Sequence, residues 1–181
     1  MKHIWRRLHS DIEISTNQKV NITSPTHSTH EGDPVPKILI LYYSQTGNTE
    51  KMAQAIAEGA KNTNNVEVEL NYYVETEDLN QFDAILVGAP TYHHDMPMDV
   101  KKLFEEAAVK SISLKTKVGA TFGSYGWSGE APKLVLEIMK NKFEMRVTEP
   151  PLLAKYEPDQ NMLKACRDFG KRISESLIHP A

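Results

Sequence analysis

The segment Ser44-Gln45-Thr46-Gly47-Asn48-Thr49 carries the residue types that bind a phosphate group. It lies between an apolar run, residues 37–43, and an amphipathic pattern that begins at Asn48. The first amides of a helix have no partner within the helix, and the helix dipole attracts negative charge. Because the hydroxyl groups and the glycine fall next to such a helix start, the segment predicts an anion site.

The charge of this anion would be held by neutral donors, since no Lys or Arg lies between Tyr43 and Glu50. The segment is not a P-loop, which ends in Gly-Lys-Ser/Thr, and it lacks the glycine spacing of a Rossmann fingerprint. Plain helix capping remains an alternative, because Ser, Thr, Asn and Gly are common at caps and turns.

Two later loops, residues 88–97 and 123–129, combine glycines with Tyr92, Tyr125 and Trp127. Glycine at every third position of residues 123–129 would let a ring system approach the backbone, and the aromatic side chains offer flat faces. Aromatic lids without any ligand are the alternative. Together with the anion site, the loops describe a flat heterocycle with a phosphate tail, and FMN fits this description.

Metal binding and thiol chemistry are not predicted. His93, His94 and Asp95 are adjacent in one loop, an arrangement that rarely directs three side chains at one ion. Cys166, the one cysteine, falls on an apolar helical stripe and is interpreted as a core residue. A single cysteine excludes an internal disulfide, which suits a reducing compartment such as the cytoplasm.

The elements that must position these loops alternate along the chain. Apolar or alternating runs predict strands at residues 37–43, 66–72, 84–88, 117–122 and within 144–154, the last interrupted by Pro150-Pro151. Helical periodicity covers residues 48–61, 97–109, 130–142 and 159–177. This order predicts an α/β fold with a doubly wound, five-stranded parallel sheet, in which ligands bind beyond the carboxyl ends of the strands.

The length and the charge of the chain limit its domain organisation and its possible partners. The 181 residues, 40% of them hydrophobic, suit one domain at residues 37–181. Residues 1–36 lack periodicity and predict a flexible extension or linker, and its four histidines are too irregularly spaced for a metal site. The net charge of −3 and the scattered basic residues argue against nucleic acid as a partner. No apolar run reaches the roughly 20 residues that span a membrane.

Two motifs carry a resemblance to a known family. The segment at residues 44–49 resembles the phosphate loop of flavodoxins. The run Phe-Gly-Ser-Tyr-Gly-Trp-Ser-Gly-Glu-Ala at residues 122–131, with Gly-Ala-Pro-Thr at 88–91 and Lys-Tyr-Glu-Pro-Asp at 155–159, is similar to the flavodoxin-like domain of A-type flavoproteins, or flavo-diiron proteins.

The resemblance implies a flavodoxin-like fold with strand order 2-1-3-4-5 and a bound FMN. In that family the domain relays electrons to a diiron site in a separate domain, within a head-to-tail dimer. The residues that would hold the phosphate are Ser44, Thr46, Gly47, Asn48 and Thr49. Those that would border the isoalloxazine are Pro90, Thr91, Tyr92 and His93 on one side and Ser124, Tyr125, Gly126, Trp127 and Gly129 on the other.

The sequence contains no His-x-Glu-x-Asp ligand set of a diiron domain. We therefore expect a stand-alone electron-transfer protein that works with protein redox partners, with a separate diiron or other oxidoreductase subunit as one candidate; a homodimer also remains open. The alternatives are an FMN-dependent NAD(P)H:quinone reductase and a flavin-free interaction module. Because the two aromatic loops contain no Lys or Arg, a low reduction potential is predicted for the second electron that a bound flavin accepts.

Overall fold

The computed structural model describes residues 34–179. The predicted extension at residues 1–36, with its four histidines, therefore lies outside the described residues except for its last three positions. The strands and α-helices of the described chain are β1 (Lys37–Tyr42), α1 (Asn48–Lys61), β2 (Glu67–Asn71), β3 (Ala84–Gly88), α2 (Met98–Val109), β4 (Val118–Tyr125), α3 (Ala131–Asn141), β5 (Arg146–Val147), β6 (Leu152–Lys155) and α4 (Gln160–Ile178). A 3-10 helix, Thr76–Gln81, lies between β2 and β3.

The strands form one parallel sheet in the order β2-β1-β3-β4-β5, which confirms the predicted topology. The fifth position of the sheet is shared by two short strands. β5 pairs with the start of β4, and β6 pairs with its end. The interval between them, residues 148–151, contains Pro150 and Pro151, which have no N–H to donate to a ladder. The predicted interruption of this strand is confirmed.

β4 is longer than its sequence pattern predicted. The apolar run ends at Phe122, yet the strand continues through Tyr125. The reason is the partner strand, because β6 pairs with residues 122–125 of β4 and supplies the hydrogen bonds that extend it. Gly123, Ser124 and Tyr125 are therefore strand residues, and the loop that follows is correspondingly shorter.

The sheet is covered on both faces. Ile38 and Ile40 of β1 pack on the side of α1 and α4, whereas Leu39 and Leu41 pack on the side of α2 and α3. Burying each of these side chains stabilises the fold by about 1.5–3 kcal/mol. Each of the described helices is too short or too polar to cross a membrane.

Cys166 lies fully buried in the layer formed by α1 and α4. Its burial raises the pKa of the thiol to about 12. Because the thiolate is the reactive form, Cys166 is unreactive near neutral pH. Its interpretation as a core residue is confirmed.

α1 and α4 approach each other at two glycines. A Cβ atom on Gly59 would lie 1.9 Å from the Arg167 carbonyl oxygen, and one on Gly170 would lie 2.0 Å from the Ile56 carbonyl oxygen. The two backbones are thus in direct contact, and the Ser174 hydroxyl donates to the Ala60 carbonyl across the same interface at 3.1 Å. This contact holds α1 against α4. The first turn of α1 contributes to the predicted anion site.

Replacing Gly170 with Ala is expected to destabilise the protein by about 1–3 kcal/mol, because the added methyl group must push two helix backbones apart. Urea unfolding followed by circular dichroism measures the change. Lys164→Ala, an exposed substitution on the same helix, should stay within about 0.5 kcal/mol of the wild type. Equal midpoints for the two variants would contradict the close approach.

Candidate functional site

Three loops meet at the carboxyl edge of the sheet. Loop one is residues 43–47, loop two is residues 89–97 and loop three is residues 126–130. The Gln45 N–H donates to the Tyr92 hydroxyl at 3.1 Å and joins loop one to loop two. The Thr91 hydroxyl accepts the Ala131 N–H at 3.1 Å and joins loop two to the start of α3. The predicted site residues are therefore brought together at one rim.

Loop one ends in an open helix start. Gly47 has φ +83°, a left-handed conformation that favours glycine, and beyond its own chain neighbours no heavy atom lies within 4 Å of the place where its Cβ would stand. No side chain caps α1. The amides of the first turn, with Ser44, Thr46 and Asn48 beside them, form a set of neutral donors around open space. This donor set fits the phosphate group of FMN.

Thr49 has a different role from its neighbours. Its side chain is fully buried, and its hydroxyl lies 2.9 Å from the Ser124 hydroxyl and accepts the Ser124 N–H at 3.2 Å. The hydroxyl is therefore engaged beneath the rim with β4, and Thr49 can offer its backbone amide to an anion. Ser124, predicted beside the ring, is likewise buried.

Loop two is a tight hairpin. Tyr92 and Asp95 exchange two backbone hydrogen bonds of 3.1 and 2.9 Å across a turn formed by His93 and His94, which have φ of 50° and 64°. Two consecutive positive φ values are typical of a type I′ turn, whose twist matches a hairpin. Pro90 is buried at the base of the loop, and His93 is exposed at its tip.

Loop three presents planar side chains. Trp127 is 87% exposed, so its ring lies at the surface. Gly129 has φ +72°, and a Cβ there would lie 3.2 Å from the Tyr125 ring, so glycine allows the loop to pack on that ring. The sequence prediction did not include Tyr156, which is also exposed and lies near Gly126. The apolar residues after Pro151 could have predicted β6, which ends directly before Tyr156 and so places Tyr156 at this rim.

Loops two and three are also linked through Glu130, which the sequence prediction left out. His94 Nδ1 lies 3.2 Å from Glu130 Oε1. The Ser128 hydroxyl and the His94 ring hold the pKa of the Glu130 carboxyl below its usual value. The carboxylate is therefore ionised near neutral pH and faces the histidine. Across residues 34–179, no three His, Cys, Asp or Glu side chains gather closely enough to hold a metal ion.

A cavity of about 770 Å³ opens beside loop one. It is lined by residues that follow β2 and by residues of α2, and it shares Ser44 with the predicted site. Burial raises the pKa of Tyr43, one of its four tyrosines, to about 12, with a smaller contribution from Asp99. The described residues that line it include none of loops two and three, between which the sequence predicts the flavin ring.

The family model described as Flavodoxin matches residues 40–170. A solved structure of a flavodoxin from the domain Archaea is 38% identical, superposes with a TM-score of 0.73, and is matched over 79% of this chain and 99% of its own. The chain is also 37% identical over 147 residues to the type A flavoprotein fprA of Rhodobacter capsulatus.

The anaerobic nitric oxide reductase flavorubredoxin of Escherichia coli K12 is 34% identical over 147 residues. These two curated relatives are matched over 77% and 76% of this chain and over 33% and 29% of their own lengths. The chain thus spans about a third of the length of the curated relatives that it matches.

Replacing Thr49 with Val keeps the side-chain shape but removes the hydroxyl that Ser124 uses. Because a buried N–H and a buried hydroxyl lose their partner, we expect a loss of about 1–3 kcal/mol in the free energy of unfolding, measured with urea. Thr46→Val makes the same change at an exposed position and should shift stability by less than about 0.5 kcal/mol. Equal changes in the free energy of unfolding for the two variants would show that the buried hydrogen bonds do not stabilise the fold.

Proposed function

The chain belongs to the flavodoxin family, and from this premise we propose that it is an FMN-binding electron-transfer protein. FMN is the cofactor of the family, and the observation that carries the proposal is the uncapped start of α1. There, left-handed Gly47 leaves open space in front of the first-turn amides. A plain helix cap would place a side-chain oxygen on those amides, and none is placed there.

When bound, FMN supplies the redox chemistry. The protein's part at the phosphate is to donate hydrogen bonds from the first-turn amides and from Ser44, Thr46 and Asn48. The dipole of α1 favours the negative charge. A phosphate held by several backbone amides has a fixed orientation, which sets the position of whatever it carries.

The flat part of the cofactor lies between loops two and three in this proposal. Tyr92 is held in place because its hydroxyl accepts the Gln45 N–H at 3.1 Å. Trp127 is exposed and can cover a ring without displacing packed side chains. Pro90, Thr91 and His93 border the first side, and Tyr125, Gly126 and Gly129 the second. Ser124 acts from below, through its hydrogen bonds to Thr49.

The electrons pass to and from other proteins in this proposal. Trp127 and Tyr156 are exposed at the same rim, and exposed aromatic side chains are enriched where proteins dock. A separate diiron or other oxidoreductase protein is the proposed acceptor, because a flavo-diiron protein and a nitric oxide reductase flavorubredoxin each contain a segment similar to this chain. A cytoplasmic location, where Cys166 stays reduced, completes the proposal.

Replacing Thr46 with Glu tests the phosphate assignment. The new carboxylate would stand at the exposed edge of the donor set and repel the phosphate, so FMN affinity should fall about tenfold or more. Quenching of flavin fluorescence measures the dissociation constant. Ser113→Glu, the same charge change at an exposed position before β4 and on the opposite edge of the sheet, should leave the affinity unchanged. Equal affinities for both variants would remove loop one from the site.

An electron carrier and a self-sufficient reductase differ in turnover. The FMN-loaded protein, given NADPH and menadione without a second protein, is expected to oxidise NADPH no faster than free FMN at the same concentration. After photochemical reduction, it should pass electrons to cytochrome c, used here as an artificial acceptor. Sustained NADPH oxidation well above the free-FMN rate would instead favour the quinone reductase.

A further inference from the structure

Lys51 lies one helical turn above the donor set. Its N–H donates to the Gly47 carbonyl at 2.9 Å, so the two residues share one face of α1. Side chains of helices lean toward the N-terminus of the helix. Lys51 is therefore the cation that would be expected to reach an anion bound in front of Gly47.

The ammonium group of Lys51 is engaged elsewhere. It forms an ion pair and a hydrogen bond with the carboxylate of Glu157, which lies between β6 and α4. Glu50, the acidic residue in the first turn of α1, accepts a hydrogen bond from the Tyr42 hydroxyl at 3.3 Å. Among the described residues, Glu157 is thus the acidic partner of Lys51.

Glu157 is held at this position from both sides. The preceding residue, Tyr156, donates its N–H to the Tyr125 carbonyl at 2.7 Å, which attaches the segment to β4. The following Pro158 is buried, and Asp159 caps α4 by accepting the Met162 N–H at 2.8 Å. The hydrogen bond from Lys51 lowers the pKa of the Glu157 carboxyl, so the partner of Lys51 stays ionised near neutral pH.

We propose that Glu157 limits the affinity for FMN by holding the Lys51 ammonium away from the phosphate site, so that the phosphate is bound by neutral donors. This inference rests on the proposed function. Without Glu157, the Lys51 side chain is free to turn toward the phosphate and to add an ionic attraction. Glu157 is then a positioning residue that acts through Lys51.

A structural role for the ion pair makes the opposite prediction. If the pair served to clip α1 to the segment before α4, loss of either partner would loosen the rim and weaken FMN binding. In our proposal, loss of Glu157 strengthens FMN binding and loss of Lys51 does not. The two roles therefore differ in the sign of the effect of one substitution.

The experiment compares the FMN dissociation constants of the wild type, Glu157→Gln, Lys51→Gln and the double variant at low and high salt. We expect Glu157→Gln to bind FMN about three- to tenfold more tightly at low salt, with a smaller gain at high salt. Lys51→Gln should bind no more tightly than the wild type, and the double variant should return to within about twofold of it. The exposure of both side chains makes correct folding of these variants the expectation.

Two controls isolate the phosphate. Riboflavin, which has no phosphate, should bind Glu157→Gln and the wild type equally. Glu175→Gln, the same charge change on α4, where Glu175 pairs with Lys171, should leave FMN affinity unchanged. Unchanged or weaker FMN binding by Glu157→Gln, or an equal gain with riboflavin, would overturn the inference alone. A wild-type protein that binds no FMN would overturn the proposed function itself.

Discussion

The buried hydrogen bonds between the Thr49 side chain and Ser124 are the interaction on which the rim depends. They join the first turn of α1 to the end of β4, although the two residues are 75 positions apart in the chain. Both residues are buried, so a broken bond would leave buried polar atoms without partners, at a cost of about 1–3 kcal/mol. The open helix start and the beginning of loop three are thereby held at a fixed separation, which a ligand that contacts both requires.

Two further hydrogen bonds connect the loops of the rim. Loop one is held to loop two through the Tyr92 hydroxyl, and loop two is held to α3 through the Thr91 hydroxyl. In both cases a side chain of loop two accepts a backbone N–H from a neighbouring segment. The protein alone therefore forms the rim, and less ordering of loops has to accompany ligand binding. The close contact of α1 with α4 at Gly59 and Gly170 supports the rim from the outer layer.

Much of the fold could be predicted from local pattern. The bounds of α1 and β3 match the sequence prediction, because a helical stripe and a short run buried on both faces are strong signals. The end of β4 could not be predicted, because its last residues form a strand only through their pairing with β6. The same limit applies to the site. A sequence shows that Thr49 has a hydroxyl, but the burial of that hydroxyl against Ser124 depends on the crossing of distant segments, as does the pairing of His94 with Glu130.

The charges around the rim agree with a site that binds its ligand through neutral groups. Loops one, two and three contain no Lys or Arg. Two cations near the rim have other partners, since Lys51 pairs with Glu157 and the Lys155 ammonium lies 5.5 Å from the centre of the Tyr156 ring. His94 faces an ionised Glu130. The negative charge that a bound flavin gains on reduction would thus be stabilised by few neighbouring cations. A reduced flavin in such surroundings would donate its electrons readily. That property suits a protein that passes electrons on.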